Sequence, residues 1–126
     1  MTLKTEDLAQ FYGTENWYRY EIFGRYLFTY TDGVRHVARE GEAYWLIDAI
    51  AAHFNENPKI RAAEFLIWEL KVTNRKAVLT AKTDSNAPLI VNQRIPFTDF
   101  PLSEIRFYME EGGPDGKKVL LLPSER

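Results

Sequence analysis

The segment Gly41–Asn55 reads Gly-Glu-Ala-Tyr-Trp-Leu-Ile-Asp-Ala-Ile-Ala-Ala-His-Phe-Asn, and its pattern decides the fold that we expect for this sequence. At about 100° per residue, four apolar side chains fall on one stripe of a helical wheel. The stripe consists of Ala43, Ile47, Ile50 and Phe54. The spacing therefore predicts a helix that packs this stripe against a hydrophobic core.

The opposite side of the predicted helix lacks the charged surface of an ordinary amphipathic helix. Its residues are Trp45, Ala49 and Ala52, with Asp48 beside them. A helix that is apolar nearly all round is usually covered on both sides. Two coverings fit this pattern: another segment of the same chain, which makes this side core, or a symmetric partner or ligand. Trp45, Asp48, Ala49 and Ala52 are therefore the candidate interaction residues.

The composition is typical of a soluble globular domain. Apolar residues make up 45% of the sequence and charged residues 27%, close to the average for folded proteins. A chain of 126 residues is long enough for one domain and short for two, so we expect a single domain over residues 1–126. Cysteine is absent, which fits a reducing compartment. No apolar run approaches about 18 residues, and we expect a cytoplasmic protein that does not enter a membrane.

Residues 33–40 admit two structures. In the first, Asp32-Gly33 closes a two-residue hairpin and residues 34–39 return as a strand. In the second, Thr31 or Asp32 caps a short helix whose apolar stripe is Val34, Val37 and Ala38. We favour the helix, because a strand would place His36 and the neighbouring arginines on both faces.

The second half of the chain predicts an antiparallel sheet. A tight turn at Asn74-Arg75 joins two strands so that their apolar pairs share one face. These pairs are Val72 with Ala77, Leu70 with Leu79, and Trp68 with Ala81. Because successive strands are joined by short turns, we predict an α+β fold. It has a mostly antiparallel sheet of about five or six strands, the central helix on one face, and a short N-terminal helix.

Four strings of residues carry a resemblance to a known family. They are Phe11-Tyr12-Gly13-Thr14-Glu15, Thr31-Asp32-Gly33-Val34, Ala43-Tyr44-Trp45-Leu46-Ile47-Asp48-Ala49-Ile50 and Thr98-Asp99-Phe100-Pro101. With these strings the chain resembles an uncharacterised family of small bacterial proteins of unknown function, associated with phages and plasmids. The resemblance implies a cytoplasmic accessory role and supports the helix after Gly33. It supplies no activity, ligand or catalytic residue.

Few residues suit catalysis or metal binding. The sequence has two histidines, His36 and His53, and no cysteine, so a zinc site would need carboxylates for at least two ligands. No serine lies in a Gly-x-Ser-x-Gly motif. We therefore expect no catalytic residue, no metal and no cofactor. Asp48 is the exception that we keep open, because a carboxylate within an apolar helix could act as a general acid or base, or contact a small ligand.

Aromatic and basic residues alternate between Trp17 and Arg39, as they do on surfaces that stack single-stranded nucleic acid. The candidate nucleic-acid contacts are Arg19, Arg25, Tyr26, Arg35 and Arg39. Interspersed acidic residues and a formal net charge of −2 weaken this interpretation. An aromatic sheet face edged with arginine accounts for the pattern equally well.

The sequence thus predicts a domain without intrinsic catalysis that binds a protein partner or associates with itself as a homodimer. The alternative is a nucleic-acid-associated accessory protein that uses residues 17–39. A third interpretation is a hydrolase or small-ligand binder centred on Asp48.

Overall fold

The computed structural model describes residues 3–126 and consists of a seven-stranded sheet and four α-helices. The helices are α1 (Thr5–Leu8), α2 (Asp32–Glu40), α3 (Tyr44–Glu56) and α4 (Pro58–Ala62). The strands are β1 (Trp17–Ile22), β2 (Arg25–Thr31), β3 (Phe65–Thr73), β4 (Lys76–Lys82), β5 (Val91–Ile95), β6 (Glu104–Glu110) and β7 (Val119–Leu121). Two 3-10 turns, Pro114–Gly116 and Pro123–Glu125, flank β7.

The strands lie in the order β1-β2-β7-β6-β3-β4-β5. Every neighbouring pair is antiparallel except β2 with β7, which is parallel. The predicted α+β class is confirmed, whereas the predicted count of five or six strands is too low. The three-residue β7 is held between β2 and β6, so its place in the sheet depends on residues far away in the sequence.

Helix α3 supplies the centre of the core, as its apolar stripe predicts. Ala43, Ile47, Ile50 and Phe54 are all buried. They belong to the same cluster as the helix-facing side chains of β3, which include Trp68. The charged residues of β3 lie on the opposite face, where Glu69 is 3.0 Å from Arg106.

Residues 33–40 are helical, as part of α2, which confirms the favoured one of the two predicted structures. Thr31 is the N-cap, and its Oγ1 accepts a hydrogen bond of 3.3 Å from the amide of Val34. Val34, Val37 and Ala38 are buried along one stripe, as predicted. The alternative prediction, a hairpin closed by Asp32-Gly33, is therefore wrong, because the cap and the apolar stripe together favour a helix.

The β3–β4 hairpin has the predicted register, with Val72 opposite Ala77 and Trp68 opposite Ala81. Its turn residues Asn74 and Arg75 both have positive φ, at 52° and 63°. Two central residues with positive φ are the pattern of the type I′ turn that suits a twisted hairpin. Within residues 3–126, no helix combines the length and apolar character required to cross a bilayer.

Candidate functional site

The β1–β2 hairpin ends in an exposed phenylalanine. Phe23 and Gly24 form its two-residue turn, with φ of +50° and +76°. Glycine adopts positive φ readily, but for a bulky residue it costs about 1–3 kcal/mol. The turn leaves the Phe23 side chain 96% exposed, beside the exposed Ile22. The hairpin thus presents an apolar tip in a defined conformation.

A β-bulge interrupts the pairing of the two strands of the hairpin. Tyr20 pairs with Phe28, but the next residue, Glu21, pairs with Tyr26, so Leu27 is the extra residue of a β-bulge. Tyr20 and Leu27 lie towards α3 and border the same groove. Tyr26 lies on the other face, where the Arg19 guanidinium is 4.9 Å from its ring centroid.

A groove of about 440 Å³ separates the hairpin from α3. Its apolar lining is Ile22, Phe23, Leu27, Ala51 and Ala52, and its polar rim is Tyr20, Asp48, Asn55 and Glu56. Hydrogen bonds fix the two walls relative to each other. The Tyr20 hydroxyl donates to Asp48 Oδ1 at 2.7 Å, and Arg25 Nη1 donates to Asn55 Oδ1 at 2.8 Å. We call this the hairpin groove.

The groove carries carboxylates that are exposed to solvent. Asp48 and Glu56 both lie on the outer side of α3, and in the described part of the chain neither forms an ion pair. Burial and, next, the hydrogen bond to Asp48 raise the pKa of Tyr20 to about 12. Tyr20 is therefore a neutral hydrogen-bond donor at neutral pH.

The predicted interaction residues of α3 divide between two environments. Asp48 and Ala52 are exposed and border the hairpin groove. Trp45 and Ala49 are partly buried and pack against the core. The second side of α3 is thus part core and part surface, which the sequence alone left open.

The five predicted nucleic-acid contacts do not form one surface. Arg25 and Tyr26 begin β2, and the Arg19 guanidinium reaches to 4.9 Å from the ring centroid of Tyr26. Arg35, on α2, lies 4.7 Å from the ring of Tyr18 near the opposite end of β2. Arg39 is exposed and lies 3.4 Å from Glu40. The helical structure of residues 32–40 accounts for this separation, because a strand would have returned along β2.

Sequence reasoning missed the residues that make the hairpin tip distinctive. Phe23-Gly24 lies between two alternating segments, which is the pattern of a two-residue hairpin loop. Sequence reasoning also missed Arg61, Lys117 and Lys118, which the fold brings next to Arg25 and Tyr26. No spacing rule connects residues so far apart in the sequence.

Neither histidine lies in a metal-binding cluster. His53 Nε2 is 2.6 Å from Gln93 Oε1, and the ring of His36 is 5.1 Å from that of Phe11. Residues 3–126 contain no group of three or more histidine, cysteine, aspartate or glutamate side chains placed to hold a metal ion.

Comparison with known proteins identifies a family and no characterised relative. No curated protein and no solved structure matches the chain. A model described as "Family of unknown function (DUF6876)" matches residues 2–126. The resemblance to an uncharacterised family, drawn from four strings of residues, is confirmed to this extent. By this match over nearly its whole length, the chain belongs to the family of unknown function DUF6876.

Proposed function

We propose that this protein is a non-catalytic interaction module whose hairpin groove binds a segment of a partner protein. The segment would present an apolar side chain next to a lysine or arginine. The observation that carries this proposal is the 96% exposure of Phe23 beside a groove bordered by Asp48 and Glu56.

The apolar part of the site supports binding energetically. Burying one phenylalanine side chain is favourable by about 1.5–3 kcal/mol, and Ile22 and Ala52 would add to the buried area. The walls are already fixed by the Tyr20–Asp48 and Arg25–Asn55 hydrogen bonds. A rigid site loses little conformational entropy when a partner binds, so more of the burial energy becomes affinity.

The carboxylates determine the partner's chemistry. Asp48 and Glu56 present negative charge at the rim. A basic residue beside the apolar anchor would pair with them, whereas an acidic segment would be repelled. The Tyr20 hydroxyl supports the site by geometry, because its hydrogen bond of 2.7 Å to Asp48 positions the hairpin against α3.

A second copy of the chain is the other occupant to be tested. Self-association through the outer side of α3 would use the same exposed residues, Asp48 and Ala52. We place the protein in the cytoplasm, on the grounds that cysteine is absent and that it resembles small proteins of bacteria, their phages and plasmids.

The proposal is tested by selecting a phage-displayed random peptide library on the immobilised protein, with counter-selection on Phe23→Ser. Enriched peptides should pair an aromatic or aliphatic residue with lysine or arginine. A synthetic, labelled peptide from this set should bind wild type, measured by fluorescence anisotropy, at least about tenfold more tightly than Phe23→Ser. Asp48→Asn should weaken binding less and reduce its salt dependence.

Phe97→Ser is the matched control. Phe97 is 64% exposed and follows β5, at the opposite edge of the sheet. Its substitution should leave peptide affinity unchanged. Equal peptide binding by wild type, Phe23→Ser and Phe97→Ser, or no enrichment of peptides, would contradict the proposal. Light scattering across a dilution series measures the molar mass and tests whether a second copy of the chain occupies the groove. A dimer that Phe23→Ser converts into a folded monomer would identify a second copy as the occupant.

A further inference from the structure

A second concave site lies on the β7 side of β2, next to the hairpin groove. It is a pocket of about 370 Å³ between the start of β2, the end of α3, α4 and the segment leading into β7. Its lining includes four basic residues, Arg25, Arg61, Lys117 and Lys118, and one acidic residue, Glu111. The whole chain has a net charge of −2, so this is a local concentration of positive charge.

Two of the basic residues are held in place by the fold. Arg61 Nη1 donates to the carbonyl oxygens of Phe54 and Asn55, at 3.1 and 2.6 Å. These carbonyls lie in the last turn of α3, where the helix dipole favours a cation. The Lys118 side chain is only 10% exposed, and its Nζ donates to the Ala63 carbonyl at 2.8 Å and pairs with Glu111. The pairing with Lys118 offsets the charge of the pocket's acidic residue.

The other two basic residues retain their charge for a ligand. Lys117 Nζ lies 5.2 Å from the ring centroid of Tyr26, and no carboxylate in the described residues forms an ion pair with it. The Tyr26 hydroxyl donates to Asp115 Oδ2 at 3.0 Å, which fixes the ring under Lys117. Arg25 uses Nη1 for its hydrogen bond to Asn55, and a guanidinium has five N–H donors.

We propose that this pocket binds the phosphate group of a small phosphorylated molecule. Guanidinium groups bind phosphate through paired N–H donors, and ammonium groups add charge. Arg25 has N–H donors beyond the one that Asn55 accepts, so it can bind phosphate and keep that hydrogen bond. A long polyanion fits less well, because Glu21 and Asp115 lie near Tyr26 at the edge of the pocket and would repel its neighbouring phosphates.

The test is isothermal titration calorimetry at constant ionic strength, with inorganic phosphate and phenyl phosphate as probes. The two probes distinguish free phosphate from a phosphate monoester. Wild type should show saturable binding of at least one probe. Arg25→Gln and Lys117→Gln should each weaken that binding by about tenfold or more, since each removes one charge-assisted contact. Circular dichroism verifies that both variants are folded.

Arg94→Gln is the matched control, because Arg94 is exposed on β5 at the far edge of the sheet. It should bind the probes as wild type does. Phe23→Ser should also bind them normally, so this proposal and the peptide-binding proposal can fail separately. Absence of saturable binding, or equal affinity in Lys117→Gln and wild type, would overturn the proposal. The proposal would also be overturned if a single-stranded oligonucleotide bound through Arg25 and Lys117 while neither probe showed saturable binding.

Discussion

The two ends of strand β2 both carry charged residues and use them differently. At the Thr31 end, the carboxylates of Asp32 and Glu125 accept hydrogen bonds from the protein's own backbone and side chains. At the Arg25 end, Asp48 and Glu56 of the hairpin groove are exposed, and Arg25 and Lys117 of the neighbouring pocket keep N–H donors for a ligand. Charge content alone therefore does not distinguish the two ends. The partners of each charged group within the protein do.

The Thr31 end holds three distant segments together. Asp32 accepts hydrogen bonds from the amides of Glu15 and Asn16, at 3.0 and 3.2 Å, and from the Tyr18 hydroxyl at 2.9 Å. Burial raises the pKa of Asp32, but its hydrogen bonds outweigh that effect and lower the pKa below its ordinary value. This carboxylate connects the N-terminal segment to the start of α2.

Glu125 connects the start of α2 to the C-terminal segment. Its buried carboxylate accepts from Thr31 Oγ1 at 2.6 Å, from the Gly33 amide at 3.0 Å and from the Leu122 amide at 2.9 Å. The Gly33 amide is one of the unsatisfied donors in the first turn of α2. Glu125 therefore stabilises both the helix start and the C-terminal 3-10 turn.

The largest effect is expected for Gly33→Ala, which tests how tightly this end is packed. A Cβ at Gly33 would lie 2.5 Å from Glu125 Oε1 and 2.7 Å from Leu122 Cδ1. The carboxylate would have to move, so we expect the free energy of unfolding to fall by about 2–4 kcal/mol in urea denaturation. Gly13→Ala is the control, since a Cβ there meets nothing within 4 Å. Equal stability of the two variants would contradict the packing described.

A smaller loss is expected for Asp32→Ala. Removing this acceptor leaves several donors unpaired in a partly exposed position, and we expect a loss of about 1–2 kcal/mol. Because the pKa of Asp32 is lowered in the folded protein, its stabilisation is present above its ordinary value of 3.8. That stabilisation is lost as the pH falls through the lower, folded-state pKa. Denaturation at several pH values should show that the difference in stability between variant and wild type becomes smaller in acid. A difference that does not change with pH would contradict this role of Asp32.

The smallest effect is expected at the Arg25 end, for Asp48→Asn. Burial is the larger cause of the raised pKa of Tyr20, so the substitution should lower that pKa from about 12 but leave it above 10.0. The raised value means that Tyr20 contributes stability below pH 10.0 that is lost as the pH rises through about 12. Tyrosinate absorbance during a pH titration, assigned by difference with Tyr20→Phe, measures the shift. An unchanged titration would show that Asp48 does not hold the hairpin.

Local pattern was sufficient to predict much of the fold. The β3–β4 register follows from a period of two on both strands, since a slip by one residue would expose Trp68 and Leu70. The stripe of α3 and the cap of α2 are also local signals. The parallel pairing of β2 with β7 is not, because it depends on β7 fitting between β2 and β6.

The candidate sites were predictable only in part. Asp48 and Ala52 followed from the helical wheel, and Arg25 and Tyr26 from the aromatic and basic pattern. Phe23 was missed because positive φ at phenylalanine is unusual, and sequence statistics assign such positions to glycine or asparagine. Arg61 and Lys117 meet Arg25 only through the tertiary fold. Trp45 looked equivalent to Asp48 on the wheel, yet it packs against the core.

The contrast between the two ends is tested most directly by one matched pair, Glu125→Gln and Glu56→Gln, compared by urea denaturation. Both change a carboxylate to an amide of the same shape. Glu125 is buried among three donors, whereas Glu56 is exposed in the last turn of α3. We predict a loss of about 1–3 kcal/mol for Glu125→Gln and a change within about 0.5 kcal/mol for Glu56→Gln. Equal losses in the two variants would contradict the assignment of one end to stability and the other to binding.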